Sequence, residues 1–70
     1  MTLRENVSEA LVKLRKSNNR SAHSMAKALH TDIKQIWRLE NKKANYRLES
    51  IERYAAALGC SVKLQFEKLP

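Results

Sequence analysis

The sequence predicts a mostly α domain, four short helices followed by one C-terminal β-strand. Apolar residues recur three and four positions apart in four separate stretches, no proline precedes Pro70, and after Gly59 the period drops to two. A chain of 70 residues makes one small soluble domain. Surface scaling has it hide roughly 60% of the area its unfolded form exposes, which leaves little stability without a metal, a disulfide or a second subunit. A single cysteine excludes an internal disulfide, so a second subunit is the expected support.

Val7, Leu11 and Leu14, with Ala10 beside them, lie at helical spacing among the polar Ser8, Glu9, Lys13 and Arg15, which predicts an amphipathic helix from about Arg4 to Lys16. Ser17-Asn18-Asn19 ends it. Ser21 suits the N-cap of a second helix carrying Met25, Ala26 and Leu29 and stopping near His30. Asp32 suits the N-cap of a third, because its carboxylate accepts an orphan N–H and favours the positive end of the helix. Ile33, Ile36 and Leu39 give that helix its apolar side, with Trp37 at the margin. Asn41 to Tyr46 reads as a connecting loop. Leu48, Ile51, Tyr54, Ala55 and Leu58 mark the fourth helix, and Gly59 stands where a left-handed residue terminates it.

Beyond Gly59, Val62, Leu64 and Phe66 alternate with Lys63, Gln65 and Glu67, the pattern of a half-buried strand. One strand cannot pair its own backbone groups, and the chain offers no second candidate. The expected partner is a two-fold related copy supplying the same strand antiparallel and burying Val62, Leu64 and Phe66. The other reading is an extended tail packed loosely on the helices. Cys60 is expected as a small buried residue at the helix–strand junction.

Fourteen Lys and Arg against seven Asp and Glu give a net charge of +7, unevenly placed. Residues 1–20 carry +3, residues 21–47 carry +4, and residues 48–70 balance to zero. This fits a polyanion-binding face joined to a neutral packing or assembly segment, the alternative being a merely soluble basic surface. Catalysis would need convergent reactive groups, and the chain offers only His23, His30, Cys60 and a few carboxylates. Neither histidine is spaced for zinc with Cys60, and one glycine in total excludes a glycine-rich phosphate loop. No enzyme activity, metal or cofactor is expected. The four aromatics are scattered, unlike the stacking platform of an RNA-binding sheet. The apolar run Ala55 to Leu58 falls far short of the roughly 18 residues of a membrane span, and charges interrupt Met1 to Leu14 where a signal peptide would be apolar. A cytoplasmic location without membrane contact is expected, where lone thiols stay reduced.

Two short helices separated by His30-Thr31-Asp32, the second bearing Lys34, Gln35, Arg38 and Asn41 outward, have the form of a helix-turn-helix. The run Ser21-Ala22-His23-Ser24-Met25-Ala26-Lys27-Ala28-Leu29, then Ile36-Trp37-Arg38-Leu39-Glu40-Asn41-Lys42-Lys43, then Leu48-Glu49-Ser50-Ile51 and Ala57-Leu58-Gly59, resembles the XRE family of lambda-type repressors over roughly residues 4–59. Gly59-Cys60-Ser61-Val62-Lys63-Leu64 looks like the strand appended in certain antitoxins and small autorepressors of that family.

The resemblance implies a lambda-repressor-like helical bundle over residues 1–59 and a dimerisation strand over 60–70. It also implies a homodimeric repressor that binds a double-stranded inverted-repeat operator and regulates its own operon. The alternative is an antitoxin that binds a cognate toxin as well as operator DNA. In the family the third helix enters the major groove, which places base contacts on Ile33, Lys34, Trp37 and Arg38, with Gln35 beside them. Arg38 can fork onto guanine O6 and N7, Lys34 can donate to the same acceptors, and Gln35 can pair with adenine. Ile33 either meets a thymine methyl or is a partly buried helix-start residue. Trp37 either meets a base or sugar or packs its edge against the fourth helix. Backbone phosphate contacts fall on Ser21, Asn41, Lys42, Lys43 and Arg47, with Arg20, His23 and Asn45 at the periphery. Arg15 and Glu40 match an arginine and a glutamate that join the first and third helices of family members. Departures are Ala22 for a DNA-bonding glutamine, His30 and Lys42 for glycines, Tyr46 for a proline and Arg20 for an apolar turn residue.

Overall fold

Thr2 starts the first helix, α1 (Leu3–Ser17), with a capping box: its hydroxyl accepts the Glu5 N–H at 3.2 Å and the Glu5 carboxylate accepts the Thr2 N–H at 3.5 Å. That box carries the helix slightly beyond the Arg4 to Lys16 predicted from periodicity. Ser21 opens α2 (Ala22–Ala28) by accepting the Ser24 N–H at 3.0 Å, and Asp32 opens α3 (Ile33–Glu40) by accepting the Gln35 N–H at 3.0 Å. α4 (Leu48–Ala57) follows Arg47. These helices come from a computed structural model that describes residues 2–41 and 45–70, so Lys42 and Lys43 lie outside the described residues.

Three of the four helices stop by one device. Asn19 (φ 55°), His30 (φ 53°) and Gly59 (φ 73°) take the left-handed conformation just past the caps Asn18, Leu29 and Leu58. Each turn then returns two N–H groups to the helix: Asn19 to Lys16 and Arg20 to Arg15, His30 to Lys27 and Thr31 to Ala26, Gly59 to Ala56 and Cys60 to Ala55, all within 2.9–3.2 Å. Asparagine and histidine tolerate this conformation at modest cost, so neither of the first two turns requires glycine.

α3 packs against both α1 and α2, and α4 closes the bundle against α1 and α2. The core is Leu11, Met25, Ala26, Ile36, Leu39, Ile51 and Tyr54, with Val7, Ala22, Leu29, Tyr46, Ala57 and Leu58 packed around it. Complete burial of Met25 and Ile36 is worth about 1.5–3 kcal/mol each.

Ser8, polar in the periodic pattern of α1, is fully buried. Its hydroxyl reaches the Leu39 carbonyl at 3.2 Å and the Asn41 carbonyl at 3.4 Å, so a side chain of α1 caps the C-terminal end of α3. Ser8→Ala is expected to lower stability by about 1–3 kcal/mol, because buried carbonyls lose their donor. Urea unfolding checks this, and an unchanged midpoint would refute it.

The burial expected of Cys60 is corrected here, and the C-terminal strand is not seen. Leu48 begins α4 as expected and is 75% exposed. Trp37 is 56% exposed and lies outside the core. Cys60 is exposed, because nothing within the single chain covers the segment after Gly59. Residues 60–70 form neither helix nor strand, since a strand needs a ladder partner that one chain does not supply. Nor does this segment pack on the helices: Leu64 is 69% and Phe66 88% exposed. A 70-residue domain closed on itself has a radius of gyration near 11 Å. The 12.3 Å found here fits a bundle with its last residues standing off it.

Candidate nucleic-acid interface

The outward side of α3 follows from what its inward side must bury. Ile36 and Leu39 enter the core, Ile33 and Glu40 are half-buried, and Lys34, Gln35, Trp37 and Arg38 are exposed. Lys34 and Arg38, one turn apart, occupy the middle of the exposed arc, with Trp37 on one flank and Gln35 on the other. Helix stability accounts for Arg38, which sits in the last turn where the dipole favours a cation, but not for Lys34. Lys34 sits in the first turn, where the helix dipole disfavours positive charge, and like charges four residues apart cost an isolated helix about 0.2–0.5 kcal/mol.

Behind this face α3 is held by a buried polar network. Arg15 Nε donates to Glu40 Oε2 at 2.9 Å and Arg15 Nη2 to Glu40 Oε1 at 3.0 Å, a two-point ion pair whose side chains are only 14% and 11% exposed. Arg15 Nη1 donates to the Arg20 carbonyl at 3.0 Å. The buried Tyr54 hydroxyl from α4 donates to Glu40 Oε2 at 2.7 Å and lies 3.3 Å from the Leu11 carbonyl. Hydrogen bonding to Glu40 holds the Arg15 guanidinium above its ordinary pKa. Burial first, and then the bond to Glu40, pushes the Tyr54 phenol well above its ordinary 10.0, keeping it neutral. Glu40 thus joins α1, α3 and α4 through one carboxylate.

The residues expected at phosphates separate into two groups. Asn45 and Arg47 line a groove of about 550 Å³ beside α3, together with Gln35 and Arg38, and Arg38 Nε donates to the Asn45 carbonyl at 3.3 Å. Ser21, His23 and Arg20 belong to the start of α2 and do not line it. Ser21 and His23 are exposed, whereas Arg20 is half-buried and donates through Nε to the Ser24 hydroxyl. Asn41 is exposed at the end of α3, its carbonyl held by Ser8.

Sequence reasoning missed Arg53, whose side chain lines the same groove. The available signal was its spacing, since Arg47, Ser50 and Arg53 recur every three residues along one side of α4. Among the described residues no helix is long and apolar enough to cross a membrane. Compared with protein-family models, with curated proteins and with solved structures, the chain matches none.

Proposed function

We propose that the protein is a sequence-specific repressor that binds double-stranded DNA as a homodimer on a short inverted repeat, autoregulating its own operon. α2 and α3 act as a helix-turn-helix, with the exposed face of α3 in the major groove. The observation that supports this most is the exposed Lys34 and Arg38 on a short helix clamped from behind by Ser8, Arg15 and Tyr54. A base-reading surface needs donors on a rigid support, and Lys34 in the first turn of α3 is a cation that its own helix disfavours. The basic balance of residues 1–47 supplies the sequence-independent attraction to phosphates. The exposed, alternating Val62, Leu64 and Phe66 supply a strand for pairing two copies. With two-fold symmetry, half-site centres fall about 34 Å apart on one side of the duplex.

Arg38→Ala is expected to fold normally and to lose about 1–3 kcal/mol of discrimination per half-site, while non-specific affinity falls much less. Footprinting on DNA upstream of its own gene locates the operator, and competitive gel shifts against random duplex measure the preference. Selectivity equal to wild type would overturn the assignment of Arg38.

A further inference from the structure

We propose that the groove between α3 and α4 is a phosphate-binding cleft in which Arg53, together with Arg47, holds one phosphate group, with Arg38 at its edge. Three arginines line it against a single carboxylate, Asp32, one of whose oxygens already accepts the Gln35 N–H. Two of them are held from the side. Arg38 Nε donates to the Asn45 carbonyl at 3.3 Å and Arg53 Nη2 to the Leu29 carbonyl at 3.3 Å, which fixes each guanidinium while leaving other N–H groups for a ligand. The Arg47 side chain makes no hydrogen bond or ion pair among the described residues. A planar fork with parallel N–H donors suits phosphate oxygens, and anchoring it beforehand lowers the ordering cost of binding.

At about 550 Å³ the groove is in the size range of ligand clefts and larger than a lone oxyanion requires, so a phosphodiester with its flanking sugars also fits. Leu29, Ile36, Leu39 and Tyr46 also line it and take no part in charge recognition. Where the source is DNA, the inference rests on the reading above. Arg53 then adds a backbone contact on the flank of α3 that anchors the duplex beside the base-reading arc.

Two arms separate the sources. In the first, isotope-labelled protein without DNA is titrated with inorganic phosphate at constant ionic strength and followed by NMR. Saturable shifts confined to Leu29, Asn45 to Ser50 and the arginine side chains are expected, about fivefold weaker in Arg53→Gln and intermediate in Arg53→Lys, which keeps the charge without the fork. In the second, Arg53→Gln is expected to weaken binding to all duplexes alike and to lower the log–log salt slope by about 0.9, the share of one phosphate. Thermal melts of both variants establish folding, and Arg53→Lys carries the test if Arg53→Gln is unstable. Shifts spread over the whole basic surface, or equal in wild type and variants, would overturn the cleft. Duplex binding with an unchanged slope in both variants overturns it as a DNA contact while leaving the repressor reading intact. Local phosphate binding without any duplex binding upholds the cleft and refutes the repressor reading.

Discussion

Glu40→Ala is expected to lower stability by about 3–5 kcal/mol, the cost of leaving a buried charge without its partner. A 70-residue domain has roughly 4–10 kcal/mol in total. The variant is therefore marginal or unfolded at 25 °C. Arg15 would keep only its bond to the Arg20 carbonyl, and the Tyr54 hydroxyl only its contact with the Leu11 carbonyl. Tyr54→Phe removes one charged-acceptor bond and should cost less, about 1.5–3 kcal/mol. The double variant Arg15→Met with Glu40→Leu should retain more stability than either charge deletion alone, because both ions leave the interior together. Urea midpoints rank the three. A Glu40→Ala protein as stable as wild type would show that the network contributes nothing.

The same network predicts an alkaline limit. The Tyr54 phenol has a pKa raised above 10.0, so above pH 10 the unfolded chain releases a proton that the folded chain retains. The stabilisation from this group is complete below pH 10 and declines as pH rises toward the folded-state pKa, by up to about 1.4 kcal/mol per pH unit. Tyr54→Phe should remove that share of the slope, which urea unfolding of both proteins between about pH 9 and pH 11 measures.

On the proposed homodimeric repressor, converting Leu64 and Phe66 to lysine is expected to yield monomers and to reduce operator affinity about 10²–10⁴-fold, the contribution of linking two modules. Both side chains are exposed in the single chain, so the substitutions leave the helical core untouched and thermal melting of the bundle should change little. The effect instead falls on assembly, since like charges directly opposite destabilise a paired ribbon. Leu69→Lys, outside the alternating Val62 to Phe66 stretch, serves as the control and should remain dimeric. Light scattering at micromolar concentration measures the mass. A double variant that retains the mass of a dimer would place the subunit contact elsewhere.

What could be read from the chain depended on how local each cause is. Asp32 at the start of α3 and Gly59 after α4 were legible because a cap and a left-handed turn involve groups only a few residues apart. The left-handed His30 was legible through the family resemblance, while Asn19 gave no distinct signal. Ser8 was misplaced because periodicity records polarity, and its partners lie 31 and 33 positions away. Tyr54 was recognised as an apolar face residue, but not as a donor to a carboxylate 14 positions earlier. Arg15 and Glu40, 25 positions apart, could be associated only through the resemblance. Arg53 was given no role from the sequence, since its groove exists only once α2, α3 and α4 meet.

An eight-residue helix is shorter than the roughly 12–15 residues needed for lasting helicity in isolation, so α3 takes its permanence from its attachments. Its start is held by Asp32, its end by Ser8, and its last turn by Arg15 and Tyr54. Such a helix cannot re-angle itself to suit a mismatched surface without breaking one of these fastenings. Whatever docks there meets an inflexible die, and compliance must come from the docked molecule.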